Sequence, residues 1–133
     1  MSLEGPEKLK KAIKELCSRV GGRISEDTQF SKLFNEQEEI MTCTLPEPGV
    51  LDFVNDGGRV TLRMANKEGD LAIREVDARN FNLEFVAVET AETTVRSWRD
   101  RGMYAYVELE FDKLEFRHSK GSGRTLIVAS KAK

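Results

Sequence analysis

The pattern of hydrophobic and polar positions is clearest from Met103 to Ala129, where it predicts a β-hairpin. Apolar residues alternate with polar or aromatic ones from Ala105 to Phe111, which is the period of a strand with one buried face. A turn rich in Gly and Ser follows, and a second strand runs from Arg124 to Ala129. The first strand should bury the face that carries Leu109 and Phe111. The opposite face, with Glu108 and Glu110, should be presented to solvent or to a partner.

The same strand changes the parity of its apolar positions. Odd positions are apolar up to Phe111, but Leu114 and Phe116 continue the apolar side at even positions. A side-chain period of two cannot change parity without an irregularity in the strand. We therefore expect a β-bulge or bend around Asp112 and Lys113.

Helical periodicity dominates the N-terminal part of the chain. Residues 6–20 carry one apolar stripe with a spacing of three and four residues, and Gly21 and Gly22 should end this helix. A second helix is expected from Glu26 to Thr42, with Ser25 as its N-cap. Its end is expected before Pro46 and Pro48, because a proline disfavours helix in the residue before it. Its apolar face is imperfect and comprises Phe30, Leu33, Phe34, Gln37 and Met41.

The pattern changes to strands after Gly49. A short strand at 50–54 precedes a hairpin formed by 60–64 and 71–73, and alternation returns at 81–87. The segment 90–98 allows a helical turn, but its β-branched residues favour strand, closed by a turn at 99–102. The sequence thus predicts one α+β domain over residues 1–133, with two N-terminal helices packed on a curved antiparallel β-sheet (a meander).

Composition and charge narrow the function classes. The 133 residues are 39% hydrophobic and 33% charged, and the net charge of −2 gives none of the global positive field of a typical nucleic-acid binder. No apolar run approaches the roughly 20 residues that span a bilayer, and no hydrophobic signal segment opens the chain. We therefore expect a cytoplasmic protein that does not bind membranes, with Cys17 and Cys43 as reduced thiols and a disulfide bond between them as the weaker alternative.

No catalytic, metal or cofactor site is predicted. His118 is the single histidine, and the two cysteines do not share a metal-ligand spacing with it. The segment from Lys120 to Arg124 lacks the Walker pattern and lies between strands, so we interpret it as a flexible turn; anion contact by these two side chains is the weaker alternative. Three carboxylates on one predicted strand face are interpreted as a solvated surface, with cation binding or acid–base chemistry as the alternative. They are Glu108, Glu110 and Asp112.

An aromatic and basic cluster near residues 96–106 is the strongest candidate for binding. Trp and Arg are the residue types most enriched at interface hot spots, and they can also stack on and neutralise single-stranded nucleic acid. The plainer alternative is a Trp98 packed at a core edge beside solvated arginines. The candidate interface residues are Arg96, Trp98, Arg99, Arg101, Tyr104 and Tyr106.

These patterns favour a non-catalytic protein-interaction or assembly module over an enzyme. The run from Leu126 to Ala129 is apolar on both faces, so it is either a central strand or an edge that pairs with a partner or a second copy. The main alternative function is a protein that binds a small apolar ligand in a pocket between helices and sheet. Nucleic-acid binding is less favoured, because the two basic turns lie at opposite ends of one strand.

Overall fold

A computed structural model describes residues 5–31, 35–56, 59–77, 83–88, 96–99, 105–119, 121 and 123–131. Within these residues the chain forms one helix and one eight-stranded sheet. The elements are α1 (Gly5–Arg19), β1 (Arg23–Ser31), β2 (Glu36–Asp56), β3 (Arg59–Ala65), β4 (Leu71–Asp77), β5 (Leu83–Val88), β6 (Arg96–Arg99), β7 (Ala105–Ser119) and β8 (Arg124–Ser130).

The long strand β2 organises the sheet. Its first half pairs with β1 and its second half with β3, while β7 pairs with both halves on the other side. The strand order is β4-β3-β2-β7-β8-β5-β6, with β1 beside the first half of β2. Every pairing is antiparallel except that of β5 with β8, which is parallel. The predicted antiparallel sheet is therefore confirmed in broad outline.

The predicted second helix is wrong, because this segment forms β1 and the first half of β2. Met41, Cys43 and Leu45 are buried while Thr44 and Pro46 are exposed, which is a period of two. β-Branched threonines between the buried positions add a preference for strand. The two prolines that were expected to end a helix lie instead where β2 loses its register with β7, between Thr44 and Gly49, a place where no ladder N–H is required.

That loss of register confirms the predicted irregularity near Asp112. Thr44 pairs with Lys113 and Gly49 pairs with Phe111, so β2 advances five positions while β7 advances two. Phe111 and Leu114 are both buried, as the change of parity requires. Glycine is needed on β2 at this point, because a Cβ on Gly49 would collide with the carbonyl oxygen of Ala65.

Helix α1 supplies the cover for one sheet face, as its apolar stripe predicts. Its buried residues join a core drawn from both halves of β2 and from β3, β4, β7 and β8. A Schellman motif ends the helix, since Gly22 N–H donates to Cys17 O at 2.8 Å and Gly21 has a φ of 77°. The buried residues at or beside α1 are Leu9, Ala12, Ile13, Leu16, Cys17 and Val20.

The expectation of two reduced thiols is also wrong for this structure. Cys17 and Cys43 form a disulfide bond that joins the last turn of α1 to β2, with 6.1 Å between their Cα atoms. Both side chains are fully buried. The observed strand, in place of the predicted second helix, puts Cys43 beside the last turn of α1. A Cβ on Gly22 would collide with Cys17 Sγ, so the glycine after the helix also makes room for this bond.

Strand β8 is central rather than an edge. It lies between β7 and β5, and its register aligns Phe116 with Ile127 and Ile127 with Phe85. Ile127 and Ala129 are buried within the subunit. The apolar run that suggested a self-associating edge is therefore accounted for by pairing inside the chain. The predicted hairpins β3–β4 and β7–β8 are both confirmed.

Candidate interaction surface

Strand β4 is the terminal strand at one end of the described sheet, and it exposes two large apolar side chains. Leu71 is 49% exposed and Ile73 is 50% exposed. They stand two residues apart and therefore share one face of the strand. We call the surface formed by residues 70–74 along this strand the β4 edge. An exposed apolar edge strand is the arrangement that most readily pairs with another chain.

The turn between β3 and β4 shows which backbone groups point outward at the β4 edge. Asn66 N–H donates to Asp70 O at 3.1 Å, and Gly69 N–H donates to Asn66 O at 3.3 Å. Gly69 has a φ of 97°, which completes a three-residue turn with a glycine bulge. Asp70 thus directs its backbone carbonyl toward β3. Because bonding direction alternates along an antiparallel strand, Leu71 and Ile73 direct their N–H and C=O groups away from β3.

The other face of β4 belongs to the core. Ala72 and Val76 are buried beneath α1 in the same cluster as Leu62 and Met64. Arg74 reaches Glu15 on α1, with Nη2 2.9 Å from Oε2. The helix thus covers one side of β4, and Leu71 and Ile73 on the other side are half exposed.

Strand β1 is another strand whose outer side pairs with no described strand, and its side chains differ from those of β4. Asp27 Oδ1 accepts a hydrogen bond from Thr28 N–H at 2.8 Å, and Asp27 Oδ2 accepts one from Gln29 Nε2 at 3.3 Å. Glu26 lies 2.8 Å from Lys10 Nζ and 3.3 Å from Lys14 Nζ. Hydrogen bonds from Lys10 and then Lys14 lower the pKa of Glu26 below its ordinary value of 4.5. A carboxylate therefore occupies one backbone N–H group of β1, and charged side chains lie along this strand.

The sequence-predicted interface residues fall partly inside the described chain. Arg96, Trp98 and Arg99 belong to β6, the terminal strand at the other end of the sheet. Trp98 pairs in register with Phe85, and Arg99 pairs with Glu84. Arg101 and Tyr104 lie outside the described residues, while Tyr106 lies in β7 opposite Val54. Three of the six candidates are therefore in one edge strand, and Tyr106 is on a central strand.

One of the two residues predicted to contact an anion lies in the described part of the β7–β8 hairpin. Lys120 lies outside the described residues, and Arg124 pairs with Ser119 at the start of β8. His118 Nδ1 lies 2.9 Å from the Oγ1 of Thr125, and the Thr125 side chain is fully buried. This cross-strand contact satisfies the hydroxyl inside the sheet, and the buried hydroxyl is closed to a substrate.

The carboxylates on β7 lie where the alternation places them. Glu108 and Glu110 are exposed, and Glu110 Oε2 lies 3.2 Å from Lys131 Nζ. Among the residues that the structure describes, no group of three or more His, Cys, Asp or Glu is placed to hold a metal ion. Glu38 on β2 is more buried, and its Oε1 lies 2.9 Å from Arg117 Nε in an ion pair without hydrogen-bond geometry.

Two surface grooves are open to ligands in the described part of the molecule. One, of about 670 Å³, runs between α1 and β1 and is lined mainly by charged side chains, among them Lys10, Lys14 and Glu26. The other, of about 390 Å³, lies at the end of α1 beside the β3–β4 turn. Its wall includes Asn66, whose Nδ2 donates to Val20 O at 3.1 Å and to Asp70 Oδ2 at 2.9 Å. These side chains are engaged with one another, so the β4 edge is the stronger candidate.

Sequence reasoning missed Leu71 and Ile73 as binding candidates, although a signal for them exists. In β4, Leu71 and Ile73 are apolar at odd positions, while Ala72 and Val76 are apolar at even ones. A strand that is apolar on both faces needs cover on both, which is the argument applied to residues 126–129. In β8, Ile127 and Ala129 are buried on one face, and Leu126 and Val128 are partly buried on the other. In β4, the face beneath α1 is buried at Ala72 and Val76, whereas Leu71 and Ile73 are half exposed.

Comparisons with known proteins give no indication of function. No protein-family model matches the chain, and neither the curated proteins nor the solved structures gave a significant match. Within the described residues, no helix is both long enough and apolar enough to cross a bilayer.

Proposed function

We propose that this protein is a non-catalytic interaction module that binds its partner by strand addition along the β4 edge. The observation that carries the proposal is the half-exposed pair Leu71 and Ile73 on a terminal strand. Strand addition draws affinity from main-chain hydrogen bonds and specificity from alternate side chains. The β4 edge offers both, because Leu71 and Ile73 carry the outward backbone groups as well as the exposed apolar side chains.

The predicted residues of β6 are a second contact region in this proposal. Arg96, Trp98 and Arg99 lie in the strand at the far end of the sheet, so an assembly could use both ends. The chemistry of the cluster, an aromatic residue among arginines, suits a protein partner. The β4 edge is the primary surface because its exposure and its hydrogen-bond direction are both established.

Nuclear magnetic resonance of the backbone amides tests the proposal, through their exchange with solvent and the shifts of their signals. In dilute ¹⁵N-labelled protein, the N–H groups of Leu71 and Ile73 should exchange with solvent faster than those of Ala72 and Arg74, which point toward β3. Adding a concentrated extract of the source organism should shift or broaden the β4 signals selectively. An Ile73→Lys variant should abolish that response.

The matched control for this experiment is Phe30→Lys. Phe30 is 57% exposed on β1, so the substitution removes a comparable apolar side chain from a different edge strand. This variant should respond to the extract as the unmodified protein does. If the β4 signals are unchanged both in extract and at high protein concentration, the proposed function is wrong.

The cytoplasmic location stays a prediction, and the disulfide gives it a direct test. Such bonds are rare in the reducing cytosol of organisms other than hyperthermophiles. Protein recovered from its own host under acid trapping, and then alkylated, reports the state of Cys17 and Cys43. Two alkylated thiols would agree with the cytoplasm, and a bonded pair would favour an oxidising compartment.

A further inference from the structure

We infer that the strand received by the β4 edge is β4 of a second copy of this chain, paired antiparallel about a two-fold axis beside Ala72. The inference rests on the proposed function and names its partner. A two-fold axis normal to the sheet makes the two strands antiparallel and keeps each face of the sheet continuous. The numbers of two residues that face each other across this axis always add up to the same value. Each position of the axis therefore fixes which β4 side chains face each other, and the sequence shows whether they are complementary.

The backbone allows this pairing. Leu71 and Ile73 direct their N–H and C=O groups outward, so Leu71 of one copy and Ile73 of the other exchange two hydrogen bonds. The symmetry repeats the exchange on the other side of the axis. Four main-chain hydrogen bonds therefore join the copies without disturbing the ladder between β3 and β4.

Side-chain complementarity selects the register. With the axis at Ala72, Leu71 faces Ile73 of the second copy, and the symmetry places four exposed apolar side chains in one cluster. An axis at Ile73 would set Leu71 opposite Glu75. An axis at Arg74 would set two Arg74 side chains against each other. Of these three registers, only the one centred on Ala72 places both Leu71 and Ile73 opposite apolar residues.

Charge complementarity agrees with the same register. It places Asp70 of one copy opposite Arg74 of the other, twice across the axis. Arg74 already lies 2.9 Å from Glu15, so the pairing adds a second carboxylate to its surroundings. Asp70 is held in place by Asn66, whose Nδ2 donates to Asp70 Oδ2 at 2.9 Å. The apolar cluster and the ion pairs lie on opposite faces of the joined sheet, and α1 is on the face with the ion pairs.

Sedimentation equilibrium tests whether the copies associate. The contact is small, so measurements should extend from about 1 µM to about 1 mM, the range in which weak interfaces are populated. We expect the average mass to rise with concentration from 15.0 kDa toward twice that value. Ile73→Lys should weaken association at least about tenfold, since it buries a charge in the seam. Phe30→Lys should leave association unchanged, and circular dichroism should show both variants folded.

Disulfide trapping tests the register. A mixture of Leu71→Cys and Ile73→Cys chains should form a covalent dimer under mild oxidation faster than either variant alone, because these two positions face each other. Faster trapping of Ile73→Cys alone would place the axis at Ile73 and overturn the inference as stated. The buried native disulfide is common to all samples.

The two proposals fail in different ways. A mass that stays at 15.0 kDa across the whole range overturns self-pairing. If the β4 amides still respond to extract in that case, the proposed function stands with a heterologous partner. If the amides respond neither to extract nor to concentration, both proposals are wrong.

Discussion

Strands β1 and β4 lie on the same side of β2, at opposite ends of that strand, and each has a free outer side among the described strands. On β1, Asp27 accepts the hydrogen bond of the next backbone N–H, and the neighbouring Glu26 is bound by two lysines of α1. On β4, the corresponding surface is apolar and half exposed at Leu71 and Ile73. Charged side chains thus lie along β1 at residues 26 and 27, and half-exposed apolar side chains lie along the first half of β4.

We interpret this difference to mean that the side chains along an edge, rather than its position in the sheet, determine whether it accepts a partner. Charged residues on an edge strand are a common means of preventing unwanted pairing. The second half of β4 follows that rule with Arg74, Glu75 and Asp77. The exception is the pair Leu71 and Ile73, and we interpret that exception as functional.

The largest expected effect is a loss of stability that leaves association through the β4 edge unchanged. Phe111→Ala should destabilise the fold by about 3–5 kcal/mol, because it empties a fully buried site where the two halves of the sheet meet. Denaturant unfolding measures this loss. The fraction that remains folded should keep the same β4 association as the unmodified protein. A loss below about 1 kcal/mol, the range of surface changes, would show that the assigned core face is wrong.

Local periodicity explains what could be predicted from the sequence. Helix α1, the hairpins β3–β4 and β7–β8 and the parity change after Phe111 all arise from patterns within about a dozen residues. The second helix was mispredicted because apolar residues from Phe30 to Met41 have helical spacing, although Met41, Cys43 and Leu45 alternate. Local pattern and tertiary context disagreed there, and tertiary context determined the outcome.

Non-local contacts explain what could not be predicted. The parallel pairing of β5 with β8 joins segments about forty residues apart, and no turn signal marks it. The disulfide depends on where α1 packs, because Cys17 and Cys43 are 26 residues apart. The exposure of the β4 edge likewise depends on non-local contacts. The sequence shows that Leu71 and Ile73 are apolar, but only the strand order shows that nothing in the described sheet covers them.

Removal of the disulfide is expected to increase hydrogen exchange more in β4 than in β1. Replacing Cys17 and Cys43 by Ala should cost about 3–4 kcal/mol, as estimated for closure of a loop of this length. The bond anchors the end of α1, and α1 covers the inner face of β4. Hydrogen exchange should therefore accelerate more at Ala72 and Val76 than in β1. Equal acceleration in both strands would contradict the assigned role of α1 as the support of β4.

A transplant tests whether side chains alone open an edge. The double variant Ser25→Leu, Asp27→Ile gives β1 the same residue spacing as Leu71 and Ile73, and it removes the acceptor of Thr28 N–H. We expect this variant to self-associate more strongly than the unmodified protein, even when Ile73→Lys blocks the β4 edge. Sedimentation equilibrium measures the change. Ser25→Ala, Asp27→Asn is the matched control, because it keeps β1 polar at position 27 without adding apolar bulk.

The smallest expected effect concerns the carboxylate that ties β1 to α1. Lys10 and Lys14 lower the pKa of Glu26, so this group stabilises the folded state above its ordinary pKa of 4.5. That contribution is lost as the pH falls through the lowered folded-state pKa. Glu26→Gln should therefore be slightly less stable at pH 7, and the difference from the unmodified protein should vanish in acid. The effect is small because the side chain is 44% exposed and solvent screens the pair.

A double-mutant cycle assigns that effect to the lysines. In a Lys10→Ala, Lys14→Ala background, Glu26→Gln should leave the free energy of unfolding unchanged at every pH. Added salt should reduce the difference seen in the native background, since exposed ion pairs are screened. A pH-dependent difference that survives removal of both lysines would mean that Glu26 is stabilised by other groups. The closure of β1 would then rest on Asp27 rather than on the link to α1.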